Sequence, residues 1–331
     1  MAGSYEIIDP TIRPFQPFNA LDDAKTLRAA MKGLGTNEEK IIKILTKRTS
    51  KQRAEIAITF NREFNRVLQE DLRSELGGKF ETVILALMDD PAEYLAKELH
   101  SAMDKIGTNE DMLTEILCTR GDDEIRKISD AYTKIYEKSL TSELSSEVSG
   151  DYKRLLTLLL TTSRSTDNFD ATQIATKLYS AGEGRLGTDE EAFVFALAHH
   201  SFPQLKLVFK EYEKLAGKTF EQAVRAEMSG DLKEAILTIA RRVESLPRYF
   251  AELLHEAMTG LDTSDRTLIR LIVTRAEIDL GAVKKEYQAL YHKTVESDVK
   301  GETGGDYEAV LLSILEGNYI IEKYKISGAE Y

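Results

Sequence analysis

The sequence predicts an all-α protein built from one helical unit repeated four times. Two observations carry this. Apolar residues recur every three or four positions, as in Ile56, Phe60, Phe64, Leu68 and in Ile125, Ile128, Tyr132, Ile135. Four segments also open alike: Ala30-Met31-Lys32-Gly33-Leu34-Gly35-Thr36, Ala102-Met103-Asp104-Lys105-Ile106-Gly107-Thr108, Ala181-Gly182-Glu183-Gly184-Arg185-Leu186-Gly187-Thr188 and Ala257-Met258-Thr259-Gly260-Leu261-Asp262-Thr263. Equivalent positions 33, 105, 185 and 260 lie 72, 80 and 75 residues apart, a repeat long enough for four or five short helices. No alternating β-branched runs with hairpin signals compete with this assignment.

Along the chain the expected parts are a tail at 1–18, units at 19–89, 90–161, 162–245 (the last opening with a linker) and 246–318, and a second tail at 319–331. Three of the six prolines, Pro10, Pro14 and Pro17, fall in the first tail; Pro91 and Pro247 mark unit junctions, and Pro203 is expected to break the chain inside the third unit. The junction Ser163-Arg164-Ser165-Thr166-Asp167-Asn168 is polar. After each glycine-rich loop comes a helical run such as Ile41–Leu45 or Leu268–Ile272, and Thr36…Glu39, Thr108…Asp111 and Thr188…Glu191 read as capping boxes that start it. Each unit closes on a Gly-polar-apolar signature: Gly77-Gly78-Lys79-Phe80, Ser149-Gly150-Asp151-Tyr152, Ser229-Gly230-Asp231-Leu232, Gly304-Gly305-Asp306-Tyr307.

Composition narrows function. Lys and Arg number 44 against 56 Asp and Glu, a formal charge of −12, so electrostatic binding to nucleic acid or directly to an anionic bilayer is disfavoured. One cysteine, Cys118, precludes an internal disulfide framework and fits a reducing, cytoplasmic setting. The longest apolar run, Leu155–Leu160, is far short of a membrane span, and the first residues lack a signal-peptide pattern.

Chemistry concentrates in the loops. Glycine permits positive φ, so a Gly-x-Gly turn can point successive carbonyls one way, and such hard oxygens suit Ca²⁺ rather than Zn²⁺. A calcium site also needs a carboxylate. Adding 42 to the four loop positions gives Glu75, Glu147, Glu227 and Glu302. With acids at 56 of 331 residues, about one in six, four coincidences have a chance of roughly 10⁻³, so the acid is retained with the loop in every unit.

On these features, the four repeats, the Met-Lys-Gly-Leu-Gly-Thr loop and the acid at its fixed spacing, residues 16–318 resemble the annexin family. The resemblance implies four five-helix annexin-type repeats in a curved disc and calcium-dependent, reversible binding to anionic phospholipid, peripheral on membranes and without catalysis. It also admits unconventional export, since members lacking signal peptides occur outside cells. Carried over residue by residue, it implies Ca²⁺ ligands Met31, Gly33, Gly35 and Glu75 in the first repeat, and Gly182, Arg185, Gly187 and Glu227 in the third. The fourth keeps Met258, Gly260 and Glu302 but has Asp262 for its second glycine. The second offers a weaker set, Met103, Gly107 and Glu147, because Lys105 replaces a glycine and adds positive charge. Loop tips Leu34, Ile106, Leu186 and Leu261 are the expected membrane contacts. Glu98, Glu115, Arg120, Arg270, Arg275 and Asp279 match the family's central polar channel, read here as a buried ion-pair network.

Other chemistry is poorly supported. His199 and His200 are adjacent on a helix and point about 100° apart, without partners at metal-ligand spacing. Cys118 lies on an apolar stripe, and no nucleophile elbow, P-loop or EF-hand loop is present. The alternative to calcium-dependent lipid binding is a helical-repeat scaffold with vestigial loops, which binds a protein through the tail Met1–Phe18.

Overall fold

A computed structural model describes residues 9–33, 35–104, 107–183, 187–260 and 263–318. They form nineteen α-helices, and among the described residues extended pairing is limited to one bridge between Ser165 and His200. In chain order these are α1 Ala20–Ala30, α2 Glu38–Leu45, α3 Ser50–Phe64, α4 Leu68–Glu75, α5 Gly78–Met88, α6 Pro91–Met103, α7 Glu110–Thr119, α8 Asp122–Tyr136, α9 Leu140–Glu147, α10 Gly150–Thr161, α11 Ala171–Ala181, α12 Glu190–His199, α13 Phe202–Ala216, α14 Phe220–Glu227, α15 Gly230–Thr259, α16 Asp265–Arg275, α17 Leu280–Tyr291, α18 Val295–Glu302 and α19 Gly305–Glu316. Helix α15 is broken at Ser245 (φ −160°, ψ 108°), two residues before Pro247, whose ring disfavours helical geometry upstream. Its two arms bring every repeat to five helices.

Two compact units result. The first, residues 92–249, holds the second and third repeats, and the second, residues 9–91 with 250–318, holds the first and fourth. In the first unit α11 packs on α13 and α10 on α12, around Leu99, Leu113, Ile116, Tyr132, Leu155, Leu178, Leu197, Tyr212 and Ile236. In the second, α1 packs on α3 and α5 on both α16 and α19, burying Leu27, Ile41, Ile56, Phe60, Ile84, Leu268, Leu271 and Ile314. Each such side chain stabilises by about 1.5–3 kcal/mol relative to exposure, which outweighs any propensity term in helices this short.

Residues 9–18 belong to the second unit. The Thr11 and Ile12 amides donate to the Ala276 carbonyl, the Gly281 amide donates to Asp9, and Asn318 bonds both Thr11 and Arg13. Any Cβ at Gly281 would stand 2.7 Å from the Asp9 carbonyl, and one at Gly317 would collide with Thr11, so the two glycines make the room the tail occupies.

Two expectations need correction. Pro203 does not break the third unit; it sits in the first turn of α13, where a missing amide hydrogen costs nothing and Ser201 caps the helix. The capping boxes expected at Thr36, Thr108 and Thr188 are also displaced. The caps are Asn37, Asn109 and Asp189, one residue later, accepting from the amides of Lys40, Met112 and Ala192. True capping boxes start other helices, at Thr49/Gln52, Ser201/Gln204 and Thr219/Gln222.

Candidate calcium loops

All four loops share one closure. The amide of the first residue of the following helix start reaches back to an alanine in the last turn before the loop: Asn37 to Ala30 (2.9 Å), Asn109 to Ala102 (2.9 Å), Asp189 to Ala181 (2.7 Å) and Ser264 to Ala257 (2.8 Å). The alanines are buried, and a larger residue there would meet the helices beneath. Within the first loop Gly33 (φ +118°) and Gly35 (φ +86°) adopt conformations that L side chains avoid. No described residue donates a hydrogen bond to the carbonyls of Met31, Gly33 or Gly35.

The distal glutamates are drawn to these loops. Each is the last residue of its repeat's fourth helix: Glu75 of α4, Glu147 of α9, Glu227 of α14 and Glu302 of α18. The loop threonine, expected to be a cap in the first three repeats, uses its hydroxyl here instead. Thr36 Oγ1 donates to Glu75 Oε2 at 3.1 Å, Thr108 to Glu147 Oε2 at 3.4 Å and Thr263 to Glu302 Oε2 at 3.3 Å. In the third repeat Thr188 Oγ1 donates to the backbone carbonyl of Glu227, at 3.3 Å. Loop and acid are therefore neighbours in every repeat, with the glutamate 39 positions after the threonine.

The donor set fits a hard cation. A carboxylate at a helix C-terminus stands at the negative end of the helix dipole, and a cation there relieves that repulsion. Among the described residues no three His, Cys, Asp or Glu side chains converge on one point. Backbone carbonyls with a single carboxylate are hard oxygen donors of the kind that suits calcium rather than zinc or copper.

The family model described as Annexin matches residues 22–87, 94–159, 173–239 and 249–314. This chain belongs to the annexin family. It is 48% identical to annexin B10 of Drosophila melanogaster over 312 residues, covering 92% of this chain and 97% of that protein. Its fold is similar to the solved structure of annexin III, with TM-score 0.92, 39% identity, 96% of this chain and 99% of that one covered. It is also similar to a calcium-bound annexin (Sm)1, with TM-score 0.84, 33% identity and coverage of 93% of each chain. Annexins bind phospholipid in a calcium-dependent manner, associate peripherally with membranes, and are generally not enzymes. Among the described residues of this annexin no helix is long and apolar enough to cross a membrane.

Of the expected residues, Arg185 and the loop tips Leu34, Ile106, Leu186 and Leu261 lie outside the described residues, as do Lys105 and Asp262. Gly107 and Gly187 share the positive φ of Gly35, at +85° and +81°. Gly182 differs, with φ −112°, and packs against the Phe193 ring. The six central polar residues are all buried. In the first unit Arg120 bonds Thr119 Oγ1 (2.6 Å) and lies 3.5 Å from Glu115, with Glu98 buried on α6. In the second unit Arg275 Nε donates to Asp279 at 2.7 Å and covers the Phe250 ring, with Arg270 buried on α16.

Cys118 is fully buried, and burial pushes its thiol up to about 12, which removes it as a nucleophile. His199 stacks on Phe195 at 4.0 Å, and burial lowers His200 from its ordinary value. What the sequence reading missed is the role of the loop threonine: its partner is 39 residues away and on another helix.

Proposed function

We propose that this annexin bridges itself to anionic phospholipid through Ca²⁺ held in its loops, a reading supported above all by the recurrent threonine–glutamate closure. In the first repeat the ligands are the carbonyls of Met31, Gly33 and Gly35 with Glu75; in the third, Gly182, Arg185 and Gly187 with Glu227; in the fourth, Met258, Gly260 and Glu302. Met103, Gly107 and Glu147 form the weakest set. Three carbonyls and a bidentate carboxylate give five oxygens, whereas Ca²⁺ takes about 6–8, so water or a lipid phosphate completes the shell. One carboxylate leaves the ion's charge half neutralised, which attracts an anionic headgroup.

With a net charge of −12 the protein repels an anionic surface on its own, so calcium supplies the attraction. In the absence of lipid, affinity in the range of about 10⁻⁵–10⁻³ M suits sites with so few charged ligands. Leu34, Ile106, Leu186 and Leu261 would add slight apolar burial at the headgroup level. The calcium bound in the related annexin (Sm)1 structure supports the same metal here. Glu98, Glu115, Arg120, Arg270, Arg275 and Asp279 are read as buried ion pairs that fix geometry within their units rather than as a conducting path.

Co-sedimentation with phosphatidylserine vesicles across a calcium titration tests the reading. Pelleting should require calcium, reverse with chelator, and shift to much higher calcium in Glu75→Gln/Glu227→Gln. Equal pelleting with and without calcium would instead favour a scaffold with vestigial loops, whose partner would bind through the tail Met1–Phe18.

A further inference from the structure

Behind three of the loops lies a second set of polar contacts, joining the helix that leads into the loop to the helix that ends in the glutamate. In the second repeat His100 sits three residues before Met103 on α6, and Glu143 one turn before Glu147 on α9. Tyr132 of α8 stands between them. His100 Nδ1 is 3.0 Å from Tyr132 Oη, Tyr132 donates to Glu143 Oε2, and His100 stacks on Tyr136 at 3.8 Å. Lys138 holds the other carboxylate oxygen at 2.5 Å. The arrangement recurs 155 residues later. His255 Nδ1 lies 3.1 Å from Tyr287 Oη, Tyr287 donates to Asp298 at 2.5 Å, and His255 stacks on Tyr291 at 3.7 Å; Lys293 is 3.7 Å from Asp298.

The other repeats solve the same problem differently. Seventy-two residues before the His100 set stand Arg28, Phe60, Phe64, Arg66 and Asp71, where Arg66 forks onto Asp71 and Arg28 approaches it at 3.8 Å. The third repeat has Ala223 where the acid would be, and Lys218 pairs instead with Glu183 beside the loop.

Proton counting fixes the direction of the relay. Burial, reinforced by the hydrogen bonds to Glu143 and Asp298, holds the phenols of Tyr132 and Tyr287 above their usual range, so each keeps its one proton and directs it to the carboxylate. Each Oη must then accept from the histidine, whose Nδ1 carries a hydrogen. Successive donors pointing one way strengthen one another.

We propose that these His–Tyr–carboxylate relays are positioning elements of the second and fourth calcium sites, setting the separation between loop carbonyls and distal glutamate. The proposal rests on the calcium reading above. Calcium–oxygen distances span only about 2.3–2.6 Å, and the two halves of each site ride on different helices, bridged at the loop by its threonine at 3.3–3.4 Å. The relay ties those helices one turn further back, as the Arg28–Asp71–Arg66 cluster does in the first repeat.

The test uses the full chain carrying Glu75→Gln/Glu227→Gln, so that the fourth repeat dominates, with CaCl₂ titrated against phosphatidylserine–phosphatidylcholine vesicles. Tyr287→Phe should raise the half-maximal calcium about three- to tenfold, the effect of losing one charge-assisted hydrogen bond. Adding His255→Arg recreates the Arg–Phe–Asp set of the first repeat and should bring the midpoint back to within about twofold. Asp298→Asn, which keeps side-chain shape, should reproduce the rise and covers the case in which Tyr287→Phe folds poorly; calcium-free melting temperatures report folding. An unchanged midpoint in both Tyr287→Phe and Asp298→Asn, or a rise that His255→Arg does not reverse, overturns the proposal. If Glu302→Gln leaves the midpoint where it was, or the background pellets at no calcium concentration, the calcium reading of that repeat has failed and the relay falls with it.

Discussion

In the first repeat the Asn37 amide reaches the Ala30 carbonyl and Thr36 reaches the Glu75 carboxylate; in the second, Asn109 and Thr108 make the same two bonds to Ala102 and Glu147. The frames coincide, yet the loops they hold differ where Gly33 of one corresponds to Lys105 of the other. Gly33 sits at φ +118°, a region that costs an L-residue about 1–2 kcal/mol, and lysine differs from it by a positive charge. Closure therefore belongs to the fold, and on the calcium reading proposed above ligand competence is set residue by residue in the loop.

The sharpest way to break it is through the carboxylates. Glu75→Gln/Glu227→Gln should raise the calcium needed for vesicle binding by at least about tenfold, while Glu147→Gln alone should move it less than about twofold. Equal effects would mean that the loops are equivalent after all. Next comes an exchange of loop residues: Gly33→Lys should cost about tenfold in calcium requirement, which isothermal titration with CaCl₂ and vesicles would read. The reverse change, Lys105→Gly, should improve the second site about threefold. Thr36→Val removes only a neutral donor from a carboxylate, and a shift of about twofold is expected in the same titration.

Least of all is an effect of pH. The hydrogen bond from Lys138, then that from Tyr132, hold Glu143 below the usual carboxylate range. A carboxyl depressed in the folded state stabilises fully above its unfolded value, near 4.3, and loses that contribution as pH falls through its folded value. The melting-temperature gap between wild type and Glu143→Gln should therefore stay constant above about pH 5 and close on acidification below about pH 4. A gap that widened in acid would contradict the sign of this interaction.

Much of this frame is legible in the sequence because repetition amplifies weak signals. One glycine pair is ambiguous; four loops with Glu75, Glu147, Glu227 and Glu302 at a common offset are not. Helical periodicity gives the fold for the same reason. What the sequence hides is the choice of partner. Thr36, Thr108 and Thr188 look like caps because local rules see Glu39, Asp111 and Glu191 three residues on, whereas their hydroxyls are taken by glutamates on a distant helix. His100, Tyr132 and Glu143 are ordinary helical residues until three helices bring them together. Gly281 and Gly317 carry no visible reason for being glycine until Asp9 and Thr11 lie against them.

The make-up of the two units has a consequence for synthesis. Residues 92–249 are contiguous and can close their core while the chain is still emerging, but the other unit draws on two segments, 9–91 and 250–318, that this stretch separates. Of the four repeats the first leaves the ribosome earliest and yet lacks α16 and α19, the packing partners of α5, until synthesis has passed Glu316. Its apolar faces must wait longest for cover, so vectorial folding of these four repeats finishes with the first of them.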